Sequence, residues 1–218
     1  MNLVSAAEAS ASCQTLSTLI VDEKDTEQYH VCLGAPGISR TDPRRFAASI
    51  LDGVLGGSAS SRLFQEIREK RGMAYSVYSY SSHYADTGSI GIYVGTREEN
   101  VAECLEVIGR ELADIAAGGP REDELTRAKS NMVGRLALSM ESTSARMSRL
   151  GRSILTGTPL LDEDEVAARV EAVTADEVRE LAGSLFAHEV LSAACIGPEE
   201  DVFRGAVDAL LGTAPGVA

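Results

Sequence analysis

The apolar positions of this chain change period several times, and each change marks an element. Leu16 to Val21 alternates through Leu16, Thr18 and Ile20, and Gln28 to Gly34 through Tyr29, Val31 and Leu33, so both read as strands. The charged run Asp22 to Thr26 turns the chain between them, and Ala35-Pro36-Gly37 is expected to break the second. Asp42-Pro43 opens a helix, with Asp as cap and Pro at the first helical position. Its apolar positions are Phe46, Ile50 and Val54 with Ala47, Leu51 and Leu55, and Gly56-Gly57 ends it in the manner of a left-handed cap. Ser60 and Ser61 offer side-chain oxygens to open the next helix, which puts Leu63, Phe64 and Ile67 on one face and stops at Gly72. From Met73 to Ser82 the period falls to two. Tyr75, Val77 and Ser79 are expected on one face, and Ser76, Tyr78 and Tyr80 on the other. Asp86-Thr87-Gly88 turns the chain into Ser89 to Gly95, so Met73 to Gly95 reads as an antiparallel hairpin.

Beyond the hairpin the pattern is mostly helical. Thr96 to Glu99 has the form of a capping box, followed by Val101, Leu105, Ile108, Leu112 and Ile115 and closed by Gly118-Gly119. Pro120, with Glu122, Asp123 and Glu124 in the first turn, starts a helix striped by Leu125, Ala128, Met132, Leu136 and Met140. Ser142 to Thr156 is a helix with Met147, Leu150 and Ile154, and a short one carries Val166, Val170 and Val173. Thr174 to Glu177 is a second capping box, opening a helix with Val178, Leu181 and Leu185. His188 to Ile196 reads as a strand, and a last helix carries Val202, Phe203, Val207 and Leu210. The order β-β-α-α-β-β, several helices, then β-α lacks the regular alternation of a doubly wound sheet. It predicts an α+β domain of two layers, a largely antiparallel sheet with helices packed on one face. Residues 1–15 read as a linker or frayed lead-in and residues 16–218 as one domain.

Composition narrows the function classes. A net charge of −13 argues against nucleic acid and against an anionic membrane surface as partners. No apolar run is long enough to span a bilayer, and the start has neither the basic nor the apolar region of a secretory signal. Cys13, Cys32, Cys104 and Cys195 are far apart and read as reduced thiols of a cytoplasmic protein.

The candidate chemistry is sparse. His30, His83 and His188 are scattered, with no His-x-x-Glu-His or His-Glu-x-x-His spacing, so no metal is expected on this chain. No Gly-x-Ser-x-Gly elbow occurs, and the glycine- and serine-rich run Gly56 to Ser61 lacks the Gly-Lys-Ser/Thr ending of a phosphate loop. The acidic runs at Glu122 and Asp162 sit where helix N-termini favour carboxylates. What remains is Arg68 in the last turn of a short helix and Tyr75 near the start of the following strand, which a tight reversal would aim at one place. On the residues alone, a surface ion pair for Arg68 and ordinary sheet packing for Tyr75 are the favoured reading.

The stretch Gly-Gly-x-x-Ser-Ser-Arg-Leu-Phe-x-x-Ile-Arg-Glu-Lys-Arg-Gly-x-Ala-Tyr-Ser-Val, from Gly56 to Val77, resembles the second half of zinc peptidases of the pitrilysin, insulin-degrading enzyme and mitochondrial processing peptidase family, bacterial members above all. The order of elements fits from about Leu16 to Leu211. The resemblance implies an active site divided between two homologous halves. The first half holds zinc through His-x-x-Glu-His and a distant Glu, and the second supplies an Arg and a Tyr seven residues apart. Arg68 and Tyr75 match that pair. This chain lacks the zinc motif, so the resemblance implies the second half of a zinc metalloendopeptidase, inactive alone, with zinc in a missing half or a partner subunit. Peptide is the implied substrate, the zinc-bearing half the implied partner, and a homodimer of the fragment is a further expectation. Some relatives are non-catalytic scaffolds, which is the alternative reading.

Overall fold

The computed structural model describes residues 18–187 and 191–212. The lead-in, Cys13, His188 and the start of the last expected strand lie outside the described residues. Five strands form one sheet in the order β1-β5-β2-β4-β3. They are β1 (Leu19–Glu23), β2 (Tyr29–Gly37), β3 (Ala74–His83), β4 (Gly88–Thr96) and β5 (Ser192–Gly197). Only the β1–β5 pair is parallel, and the remaining pairs are antiparallel. The helices are α1 (Arg45–Leu55), α2 (Val101–Gly118), α3 (Glu122–Met140), α4 (Thr143–Thr156), α5 (Glu163–Ala172), α6 (Ala175–Leu185) and α7 (Glu200–Gly212).

The sheet has one apolar face and one open face, because the side chains alternate across each strand. Tyr29, Val31 and Leu33 of β2, Ile90, Ile92 and Val94 of β4, and Ala193 and Cys195 of β5 are buried together with Ile50, Leu51, Leu105, Ile108, Leu181 and Phe203 from the helices. His30 and Cys32 of β2, Tyr78 and Tyr80 of β3 and Tyr93 of β4 lie on the other face, partly or fully exposed. Tyr93 stacks between His30 and Tyr78, with ring centroids 6.2 Å and 5.1 Å away, and its hydroxyl lies 2.7 Å from His30 Nδ1. This is the two-layer arrangement that the periodicity predicts. The capping box at Thr174 is in place, and Asp162 forms another, each with a Glu three residues on closing the pair of hydrogen bonds.

Several local expectations are corrected. β2 runs through Ala35-Pro36-Gly37 instead of breaking there, pairing with β4 as far as Gly88. Among the described residues β5 pairs with His30 to Gly34, and Pro36 lies beyond that ladder, where a missing N–H costs no described bond. Asp42 does not cap α1 at its first turn; its carboxylate accepts from the Arg44 amide and side chain, and α1 begins at Arg45. Gly56 ends α1 at φ −151°, not in the left-handed region. Its role is close approach, since a Cβ there would sit 2.2 Å from the Ser79 amide nitrogen. Thr96 does not cap the helix after it. Its hydroxyl donates to the Met73 carbonyl at 2.7 Å, tying the start of β3 to the end of β4. On α4 the apolar stripe is left uncovered, with Met147 68% and Ile154 81% exposed.

Candidate functional site

The segment between α1 and β3 is built from a tight helical turn. Leu63 and Ile67 are fully buried, which stabilises by about 1.5–3 kcal/mol for each side chain and fixes the turn against the core. The helix is not an α-helix throughout, because Phe64–Glu69 has the wider π spacing, with the Lys70 amide donating to Gln65 five residues back. Such turns are uncommon and concentrate at functional sites. Ser61 does not act as an N-cap, since its hydroxyl donates to the Ser58 carbonyl. Phe64 is displaced from the buried face of Leu63 and Ile67 and is only partly covered. Gly72 then stops the turn in the left-handed region at φ +63°, which favours glycine.

Tyr75 does not share a face with Val77 and Ser79, as strict alternation predicts. The pairing of β3 with β4 slips between Ala74, opposite Thr96, and Ser76, opposite Gly95, so Tyr75 is an extra residue. This β-bulge keeps the small Ala74 inside, 5% exposed, and turns Tyr75 outward at 79% exposure.

The π turn and the bulge bring the two predicted residues together. The Arg68 guanidinium carbon lies 4.4 Å from the Tyr75 ring centroid and 4.8 Å from that of Phe64. Its Nη1 donates to the Tyr75 carbonyl at 3.1 Å. Glu69 approaches Nε only at 3.8 Å, a loose contact. The cation is therefore held by two ring faces and a carbonyl, which position it without neutralising it. No hydrogen bond occupies the Tyr75 hydroxyl among the described residues. An exposed phenol O–H and the free N–H groups of a positioned guanidinium form a donor pair suited to a carbonyl oxygen that gains negative charge.

Arg62, six residues before Arg68, is a structural anchor that the sequence reading missed. Its guanidinium is 5% exposed and forks onto the Glu124 carboxylate through Nε at 2.9 Å and Nη2 at 2.8 Å. Nη2 also donates to the Gly119 carbonyl at 3.1 Å. Glu124 in turn accepts from the Arg121 amide at 2.8 Å. Burial pushes the Glu124 carboxyl up, but the Arg62 hydrogen bonds, the Arg121 amide and both guanidinium charges outweigh it and hold the group below the usual carboxylate range. An arginine in an otherwise apolar helical face is the one sequence signal that pointed to such a partner.

Metal chemistry finds no donors here. Among the described residues no three His, Cys, Asp or Glu side chains are grouped so as to hold an ion. The thiols of Cys32, Cys104 and Cys195 are free, with Cys104 and Cys195 pushed up to about 11 by burial. Zinc therefore does not fit this set of residues. No helix among the described residues is long and apolar enough to cross a membrane.

The chain is thus an α+β domain that seats an arginine against an exposed tyrosine, with no metal-holding group among the described residues. Residues 10–132 match the family described as peptidase M16 inactive domain, and the chain belongs to that family. It is 45% identical over 178 residues to an uncharacterized zinc protease of Streptomyces coelicolor, covering 82% of this chain and 39% of the relative. A further uncharacterized zinc protease, from Bacillus subtilis, is 42% identical over 167 residues, covering 77% of this chain and 41% of that protein. The chain thus spans about two fifths of the length of these relatives. Among solved structures, the peptidase M16 inactive domain from Pseudomonas fluorescens superposes with a TM-score of 0.76 at 27% identity, over 84% of this chain and 44% of that one. A chain of complex III2 from Candida albicans shares the fold, with a TM-score of 0.76 at 19% identity, over 89% of this chain and 49% of that chain.

Proposed function

We propose that this chain is the substrate-engaging, metal-free half of a zinc metalloendopeptidase, joined in use to a homologous zinc-bearing half in the same polypeptide or in a partner subunit. The observation that carries the reading is the Arg68–Tyr75 pair, with its cation seated against the tyrosine ring and the hydroxyl left free. Homologues named as zinc proteases support the reaction class, and the lack of a fitting donor group among the described residues supports assigning zinc to the other half.

In this reading water, its proton taken by a base of the zinc-bearing half, adds to the peptide carbonyl carbon, the C=O π pair moves onto the oxygen, and the Tyr75 O–H donates to that anionic oxygen. Arg68 holds the tyrosine ring and its carbonyl in place, and its remaining N–H groups take a neighbouring substrate carbonyl. Both contacts strengthen as charge develops, which is the condition for accelerating the reaction beyond binding alone.

The test is to pair the chain with its zinc-bearing half and compare Tyr75→Phe and Arg68→Gln with the parent on an unstructured peptide. Tyr75→Phe keeps the ring that Arg68 rests on and removes only the hydroxyl. Each variant is expected to lower kcat by about a hundredfold or more while the halves still associate. Unchanged turnover in both would favour a scaffold of the same fold. Stoichiometric zinc with peptidase activity in the isolated chain would also overturn the proposal.

A further inference from the structure

A groove of about 810 Å³ opens on the helical side of the molecule, between the start of α1, the end of β3, and α3, α4 and α5. Four arginines line it, Arg40, Arg45, Arg149 and Arg152, and no aspartate or glutamate does. That is unexpected in a chain with 33 acidic residues against 20 lysines and arginines.

The arginines are held but not neutralised. Arg40 donates to the His83 carbonyl at 2.6 Å, Arg45 lies 5.0 Å over the Phe46 ring, and Arg149 donates to the Leu161 carbonyl. The Arg152 side chain has no hydrogen bond or ion pair among the described residues, and none of the four arginines makes an ion pair there. Four carboxylates on neighbouring elements are engaged elsewhere, and Asp86, Glu141, Glu163 and Asp164 are outside the groove lining. Asp42 closes on Arg44, Asp52 accepts from Ser79, and Asp162 and Glu165 cap α5 between them. Carbonyls and rings fix the guanidinium forks and leave their charge for a ligand. Apolar side chains such as Phe46 and Leu136 form the rest of the wall.

We propose that this groove binds an acidic, partly apolar segment of a separate polypeptide, with carboxylates on the arginine forks and an apolar side chain against Phe46 and Leu136. Charge complementarity selects the acidic chemistry. The apolar wall favours peptide over nucleic acid, as does the overall negative charge, which repels a uniform polyanion. The site is separate from Arg68 and Tyr75 and does not depend on their role.

The experiment uses the whole chain and fluorescence anisotropy with a labelled peptide of alternating Asp and Leu. A second peptide replaces Asp by Asn. The acidic peptide is expected to bind about tenfold or more tightly than the neutral one at low salt, with the difference shrinking as salt screens it. Arg152→Glu and Arg45→Gln should each weaken binding about fivefold or more. Arg152 is exposed, so its variant is expected to fold, which an unchanged thermal midpoint checks. Arg97→Glu, at a side chain 75% exposed and outside the groove, should leave affinity unchanged. An equal loss in Arg97→Glu would mean that net charge alone was being read and would overturn the proposal. So would equal binding of the Asn peptide, unaltered affinity in both groove variants, or equal competition by inorganic phosphate or a single-stranded oligonucleotide. No binding of the acidic peptide, together with self-association abolished by Arg152→Glu, would assign the groove to a second copy instead.

Discussion

Replacing Glu124 by Gln should destabilise the domain more than any other single isosteric change to a polar side chain. Arg62 and Glu124 are 5% and 4% exposed, and two short hydrogen bonds join them in a fork. Breaking a buried pair from one side leaves a charge without its partner and typically costs about 3–5 kcal/mol. Glu111 at 3.9 Å and Asp114 at 3.5 Å remain near Arg62, and a glutamine oxygen still accepts one hydrogen bond. The low end, about 3 kcal/mol, is therefore expected. With a urea slope of about 2 kcal/mol per molar, the unfolding midpoint falls by roughly 1.5 M. Arg62→Met with Glu124→Leu removes both charges. That pair of changes still loses the acceptor for the Arg121 amide and the donor to the Gly119 carbonyl, about 1–2 kcal/mol in all. The double variant should therefore be more stable than Glu124→Gln alone.

The pH dependence carries a definite sign. Glu124 has a lowered folded-state pKa, so its contribution is present above the unfolded value of about 4.3 and is lost as pH falls through the folded one. The parent should lose stability in that acid window, and Glu124→Gln should lack that part of the loss. A Glu124→Gln midpoint within about 0.5 kcal/mol of the parent, or a double variant less stable than the single one, would refute the reasoning.

Asp52 gives the opposite sign. Burial raises its pKa against the lowering effects of the Ser79 hydroxyl, Arg135 and His83, so its ionised form is a cost in the folded state at neutral pH. Asp52→Asn, which still accepts from Ser79, should leave stability unchanged or raise it by up to about 1 kcal/mol at pH 7. The gain should vanish as pH falls through the raised value, and a loss of more than about 1 kcal/mol in thermal or urea melts would count against it. The two glycines of the site segment should separate by mechanism. Gly56→Ala meets the Ser79 backbone and should cost about 3 kcal/mol or more, whereas Gly72→Ala has open space and pays only for φ +63°, about 1–2 kcal/mol. Thermal melts in the reverse order would show that Gly56 is not held against Ser79.

The order and type of the elements were legible because apolar periodicity reports which face each segment buries. Ile90, Ile92 and Val94 alternate into the core, and Val101, Leu105, Ile108, Leu112 and Ile115 line one side of α2. What escaped was whatever depends on a partner far away in sequence. Whether Pro36 ends a strand depends on the strand across from it, and its partner Ser89 on β4 comes far later in the chain. Whether Met147 and Ile154 are covered depends on which helix packs against α4, and neither is. Glu124 looks like a first-turn carboxylate at a helix N-terminus, which it is, but its second role toward Arg62 spans 62 residues.

The candidate pair shows the same division within a single stretch. Spacing alone placed Arg68 near the end of a helix and Tyr75 near the start of a strand, and that much needs only local sequence. Counting by twos back from Val77 would put Tyr75 on the core face and Ala74 outside, which buries a phenol and exposes a methyl. The slip between Ala74 and Ser76 reverses both assignments at once. It is held by contacts that alternation does not encode. Thr96 and Asn100 fasten the Met73 carbonyl from the far end of the hairpin, and Arg68 takes the carbonyl of the extra residue. Arg68 therefore stabilises the bulge that presents Tyr75, and the bulge provides the ring against which Arg68 rests. Each residue places the other, so a donor pair seven residues apart is a property of the turn between them as much as of the two side chains.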